Sequence, residues 1–218
     1  MKPEVIDIFN ERMELIGTAP RKEAHKVGNW HKVFHCWVLT KDADGNEYVV
    51  FQLRSKEKDT VPNSLDISAA GHLHSGETPA QGLRELKEEL GIKATEDNLK
   101  FLGVHVEVWC DEKTINREFD YVYFLRNDLE LHSYKVQPSE VIGLTKIKIE
   151  DGISLFTKEK NEITALSIHY DEKGKAVNHG FNQKLEISSF AGGERNNYFI
   201  KIFVLAKQYF EGKTLLYI

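Results

Sequence analysis

Apolar and polar residues alternate over residues 5–10 (Val-Ile-Asp-Ile-Phe-Asn), the period of a half-buried strand. Residues 33–40 and 47–53 are rich in β-branched and aromatic side chains. Asp42-Ala-Asp-Gly-Asn46 lies between them, which predicts a hairpin. Residues 54–66 are polar, contain Pro62 and Asn63, and read as a loop. Residues 67–73 predict a short strand that runs into Gly71. Thr78-Pro79 then marks a helix start, with Thr as N-cap and Pro in the first turn, and Gly91 marks its end. Two strands, 101–109 and 118–125, flank a polar turn, and 142–149 alternates again. Asp171 to Lys175 reads as a turn or loop, and 194–211 predicts a C-terminal helix that stops at Gly212. Strands dominate around one central helix, a pattern that predicts an α+β fold rather than repeated βαβ units.

The central helix carries the chemistry. Successive helical residues step about 100° around the axis, so Glu85, Glu88 and Glu89 share one face and Leu83, Leu86 and Leu90 another. The leucines predict a packed face and the acids an open one. A solvated acidic face is the ordinary meaning of such a pattern taken alone. The alternative is a cation site. Oxygen-only ligands suit hard ions, so Mg2+ or Mn2+ is expected, with chemistry that fits attack of water on phosphorus.

Composition narrows the class. The chain has 218 residues, 41% of them hydrophobic, enough for one good core with room for a small second lobe. Its net charge of −5 carries no bulk footprint for nucleic acid, so an anionic substrate needs local cations. Two cysteines, Cys36 and Cys110, form neither a disulfide framework nor a CxxC pair, and they point to a reducing cytoplasm. Cys36 falls in a strand-like run and is expected in the core. The N-terminus lacks a signal-peptide pattern, and no apolar run is long enough to span a bilayer.

With the preceding glycine-rich loop included, residues 71–92 resemble the Nudix box, G-x5-E-x7-R-E-U-x-E-E-x-G-U, where U is a bulky aliphatic residue. Gly71, Glu77, Arg84, Glu85, Leu86, Glu88, Glu89, Gly91 and Ile92 match it. The departure is one of spacing: six residues, Thr78 to Leu83, separate Glu77 from Arg84 where the pattern has seven. A deletion within a helix rotates what precedes it by about 100°, which bears on Glu77 and Gly71 and leaves Arg84 to Ile92 intact. The resemblance implies a Nudix fold, a mixed β-sheet sandwiched between helices, with a C-terminal helical extension. It divides the chain into a lead-in with a strand (1–29), the Nudix domain (30–160) and an extension packed on that domain (161–218). It implies that Glu85, Glu88 and Glu89 ligate Mg2+ or Mn2+ together with the Gly71 carbonyl, and that Arg84 orients the carboxylates. A further acid from outside the box is expected; Glu118 is the first candidate, with Glu107 and Glu112 behind it.

Five histidines fall between residues 25 and 74: His25, His31, His35, His72 and His74. With Trp30, Phe34 and Gly71-His72 they look like type I isopentenyl-diphosphate isomerase, a branch of the same superfamily in which such histidines hold a metal. Arg54 and Lys58 resemble that branch's diphosphate-binding pair, and a forked guanidinium beside a point charge suits phosphate. The isomerase's catalytic cysteine, however, falls on Ala70, which can neither give nor take a proton. The expected function is therefore hydrolysis of a diphosphate linkage in a nucleoside-diphosphate-type or other small molecule. Two alternatives stay open, an isomerase-like enzyme and a catalytically silent metabolite-binding module. Residues 155–218 would either cover the pocket or form a homodimer contact.

Overall fold

In the computed structural model, which describes residues 4–58, 60–111, 114–193 and 197–218, the first alternation becomes strand β1 (Val5–Phe9). It pairs antiparallel with β2 (Leu15–Pro20) in a two-stranded sheet, followed by helix α1 (Arg21–Val27). The predicted hairpin is β3 (His31–Lys41) and β4 (Glu47–Arg54), with Lys41 opposite Glu47. Asp42 builds its turn: one carboxylate oxygen accepts the Asp44 and Asn46 N–H groups, the other the Asn46 amide and the Tyr48 hydroxyl. Then come β5 (Leu65–Asp66), β6 (Ala69–His72), helix α2 (Arg84–Leu90), β7 (Leu99–Cys110), β8 (Ile115–Arg126) and β9 (Val141–Lys148). Helix α3 (Ile149–Phe156), β10 (Ile163–His169), β11 (Phe181–Leu185) and helix α4 (Tyr198–Phe210) complete the described elements.

The large sheet runs β11-β10-β9-β4-β3-β8-β7, with β5 beside β4 and β6 beside β3. Strands β3 and β8 are parallel and the other pairs antiparallel, so the sheet is mixed, as expected. Strand β3 reads as an almost unbroken apolar run because both its faces are covered. Its side chains alternate between two cores. Trp37 and Leu39 join Phe51, Val122 and Phe124 beneath α3 and α4. Phe34, Cys36 and Val38 join Leu86 and Leu90 of α2. Helices thus cover both faces, and Cys36 lies in the core.

Several elements escape the sequence pattern. In β2 no residue is buried, so it has no apolar face to alternate. Strand β11 is largely polar. Residues 161–218 therefore contribute strands β10 and β11 to the main sheet as well as α4. The C-terminal helix is described from Tyr198 to Phe210, and residues 194–196 of the predicted span lie outside the described residues. Among the described residues no helix is long and apolar enough to cross a membrane.

Candidate functional site

The predicted central helix is two pieces. Pro79–Leu83 is a 3-10 turn capped by Thr78, and α2 starts only at Arg84. This resolves the missing residue. Five residues of 3-10 helix turn about 600° and rise about 10 Å, while six residues of α-helix turn about 600° and rise about 9 Å. Tighter winding gives five residues the rotation of six. Glu77 consequently faces Arg84 despite the short interval. Gly82 has its own reason: a Cβ there would lie 2.4 Å from Phe34 Cβ, so the 3-10 turn rests directly on β3.

Arg84 is the hub. Its Nε donates to Glu77 Oε1 at 3.0 Å, and Nη2 donates to Glu77 Oε2 at 3.2 Å and to the His72 carbonyl at 2.8 Å. Nη1 donates to Glu85 and, at 3.4 Å, to Glu88. Burial would raise the Glu77 pKa, but Arg84 and the His74 N–H lower it. Glu85 lies against Gly71, where a Cβ would meet its Oε1 at 2.1 Å, so a side chain there would displace the acid. The three acids do not point the same way. Glu88 is exposed, whereas Glu89 turns inward, is 4% exposed, and accepts the Ala70 N–H at 3.2 Å. The open acidic face expected from periodicity is therefore corrected at Glu89, which the edge of β6 covers. Burial, with the nearby Glu85 charge, pushes Glu89 up to about 8. Burial also raises Glu85 against the pull of Arg84. Protonated or repelling carboxylates on an oxygen-only donor set fit a divalent cation.

The second cluster lies on the α4 face of the sheet. In register, His31 stands beside Glu118 across β3 and β8, and β7 sets Glu107 opposite Glu118 and His105 opposite Asp120. Ligand atoms of His25, His31, His72 and Glu118 lie within 4.8 Å of one another, as do those of Glu107, Glu118 and Asp120. Among the described residues the three box glutamates are not gathered to that spacing. His31 Nε2 is 3.3 Å and His72 Nε2 3.7 Å from Glu118 Oε1, and His25 Nε2 is 3.0 Å from His72 Nε2. Burial drives the histidines toward the neutral form: His25, His35 and His105 down to about 4, and His72 well below its usual value. Burial opposes ionisation of Glu118, but His31 and His72 outweigh it and hold its pKa low. Behind the cluster, Trp37 Nε1 donates to the Tyr198 hydroxyl at 3.1 Å, and that hydroxyl lies 3.3 Å from His35 Nδ1. Helix α4 thereby braces the cluster.

A family model for the NUDIX domain matches residues 29–165. The chain belongs to the Nudix hydrolase family. An uncharacterised Nudix hydrolase of Clostridium acetobutylicum is 46% identical over 151 residues, 69% of this chain and 73% of that protein. Nudix hydrolase 3 of Arabidopsis thaliana is 33% identical over 165 residues, 73% of this chain and 21% of that protein. The crystal structure of DR0079 from Deinococcus radiodurans has a TM-score of 0.52 at 24% identity, covering 72% of this chain and 91% of that one, and shares the fold. Nudix hydrolases as a class require a divalent metal and act on small molecules.

In this Nudix hydrolase the expected phosphate-binding pair is already engaged. Arg54 donates to Thr60 and, at 3.1 Å, to Asp66, and Lys58 contacts Glu140. The Lys58 charge lowers and the Glu140 charge raises the pKa of Glu89, both less than burial does. Glu112 lies outside the described residues. Sequence reading passed over Asp120, His105, Tyr198 and Glu140. Asp120 was within reach, since it shares a strand face with Glu118 two residues earlier. The other three arrive from β7, α4 and the loop before β9, and nothing local marks them.

Proposed function

We propose that this Nudix hydrolase cleaves a diphosphate linkage in a nucleoside-diphosphate-type or other small molecule, releasing two phosphate-bearing products. The observation that carries this reading is the Arg84 hub, which fixes Glu77, Glu85 and Glu88 around one guanidinium while Glu89 lies buried beside them. Glu85, Glu88, Glu89 and the Gly71 carbonyl would hold the metal, with Mg2+ or Mn2+ the ions suited to oxygen donors. When bound, the metal supplies charge neutralisation on the phosphoryl oxygens and activation of water. Arg84 positions the carboxylates. Lys58 and Arg54 supply positive charge toward the diphosphate once Glu140 and Asp66 share it. Glu88, Glu89 or Glu118 takes the proton from the attacking water. Residues 30–160 carry the catalytic side chains, while 161–218 complete the sheet with β10 and β11 and cover one face of it with α4.

A second reading has its own support. The gathered set His25, His31, His72 and Glu118 suits a borderline transition ion and resembles the isomerase branch. Ala70 lacks the proton carrier which that reaction needs there. The test is incubation with Mg2+ or Mn2+ and a panel of nucleoside diphosphate derivatives and isoprenoid diphosphates. Phosphate-bearing products that vanish in Glu85→Gln and Glu89→Gln support hydrolysis. Allylic isomer formation would favour the second reading, and tight binding without turnover across the panel would overturn both.

A further inference from the structure

The first strand of the chain reaches the box. Strand β1 pairs with β2 along one edge, and its other edge meets the loop that leads into α2. Ile6 bridges His74 in the antiparallel sense, and the Ser75 N–H donates to the Val5 carbonyl at 3.0 Å. Ile6 and Phe9 are buried, and the Phe9 N–H donates to the Trp30 carbonyl at 2.8 Å, just before β3. Strand β1 is thus anchored to the body of the protein before it touches the loop.

The loop is a single turn. The Glu77 N–H donates to the His74 carbonyl at 2.9 Å, and Gly76 takes a φ of +83°, in the left-handed region that favours glycine. Ser75 and Gly76 are exposed, and a Cβ at Gly76 would meet no atom within 4 Å, so packing does not hold the turn in place. Asp7 of β1 does. Its Oδ1 accepts the Ser75 hydroxyl at 2.6 Å and its Oδ2 the Gly76 N–H at 3.0 Å, the two central residues of the turn. Hydrogen bonds to an ionised acceptor are the strong ones. The turn ends on Glu77, whose carboxylate accepts Arg84 twice and the His74 N–H at 2.8 Å. Arg84 in turn donates to the His72 carbonyl, to Glu85 and to Glu88. One continuous path of hydrogen bonds therefore runs from Asp7 through the turn, Glu77 and Arg84 to Glu85. Asp7 lies outside residues 29–165, the span of the NUDIX domain match, so the path begins beyond that domain.

We propose that Asp7 is a positioning residue for the box: it sets the turn that presents Glu77 to Arg84, and through Arg84 it sets how Glu85 meets the cation. The inference rests on the reading of the box glutamates as the metal ligands. Two other accounts make different predictions. In one, Asp7 only stabilises the fold by holding β1 in place. In the other, its negative charge alone favours a nearby cation.

The experiment titrates Mn2+ into the full chain and follows the free ion by its electron paramagnetic signal, with Glu85→Gln marking which bound ions sit at the box. Asp7→Ala should weaken Mn2+ binding there by about tenfold, the lower end of what lost supporting contacts cost. Asp7→Asn should recover most of the affinity, because its amide can donate to the Ser75 hydroxyl oxygen while its carbonyl accepts the Gly76 N–H. In a Glu77→Ala background Asp7→Ala should add little, since the path is already cut. Circular dichroism checks each fold, and if Asp7→Ala does not fold, Ser75→Ala on the exposed turn takes its place. Unchanged affinity in Asp7→Ala overturns the proposal. So does an equal loss in Asp7→Asn, which assigns the effect to charge, or an undiminished loss without Glu77, which assigns it to stability. The measurement needs no turnover: a chain that binds Mn2+ at the box and hydrolyses nothing overturns the proposed function alone, whereas Mn2+ affinity unchanged by Glu85→Gln overturns both.

Discussion

Arg84 and Glu77 are joined by two charge-assisted hydrogen bonds, at 3.0 and 3.2 Å, across an interval one residue shorter than the family pattern. The 3-10 winding of Pro79–Leu83 makes this possible. Inserting one alanine between Ala80 and Gln81 should let the segment relax to α-helix with Arg84 still facing Glu77, because the rotation of about 600° is the same either way. Diphosphate hydrolysis should then survive. The same insertion between Arg84 and Glu85 turns the acids by about 100° away from the guanidinium and should abolish activity. Equal damage from both insertions would refute the compensation.

Glu89 is pushed up to about 8 by burial and by Glu85, so below that pH it is largely protonated in metal-free protein. A ligand must be ionised to bind, so metal uptake at pH 7 should release close to one proton from this site. Calorimetry in buffers of different ionisation enthalpy measures it. Glu89→Gln should remove that release and lower turnover by at least about 100-fold. The linkage sign is that of a raised acid. Its contribution to the stability of the metal-free protein is full below the usual carboxylate value of 4.5 and is lost as pH rises through about 8. A release that persists in Glu89→Gln would assign the proton elsewhere.

Gly82 packs where a Cβ would sit 2.4 Å from Phe34 Cβ. In an ordinary helix Gly→Ala stabilises, but here overpacking should cost about 1–3 kcal/mol. Urea unfolding of Gly82→Ala measures it, and a gain in stability would show that the contact yields freely.

Asp42 has its pKa lowered to about 2, with the Asn46 side chain the largest cause and Tyr48 contributing. A depressed acid contributes stability that is present above its ordinary value of 3.8 and is lost as pH falls through about 2. Asp42→Asn should therefore flatten the acid limb of the stability curve in that window. An unaltered acid limb would mean that the hairpin does not depend on the charge.

The sequence by itself determined the family, the α+β class, the hairpin at Asp42–Asn46 and the box motif from Arg84 to Ile92. These are local: period, turn chemistry and fixed spacings act over a few residues, so one stretch of chain contains the whole signal. Strands without a buried face, such as β2, left no pattern to read. Only the tertiary structure decided that Glu89 is buried while Glu88 is exposed, because β6 covers one side of α2 and solvent the other. It alone brought Glu118 of β8 to the histidines of α1, β3 and β6, and set Asp120 between His35 and His105. Strand register creates those neighbours, and register is fixed by packing across the whole sheet rather than by the residues near any one of them. The missing residue before Arg84 shows the same division: its absence is plain in the sequence, and its compensation by tighter winding exists only in the folded chain.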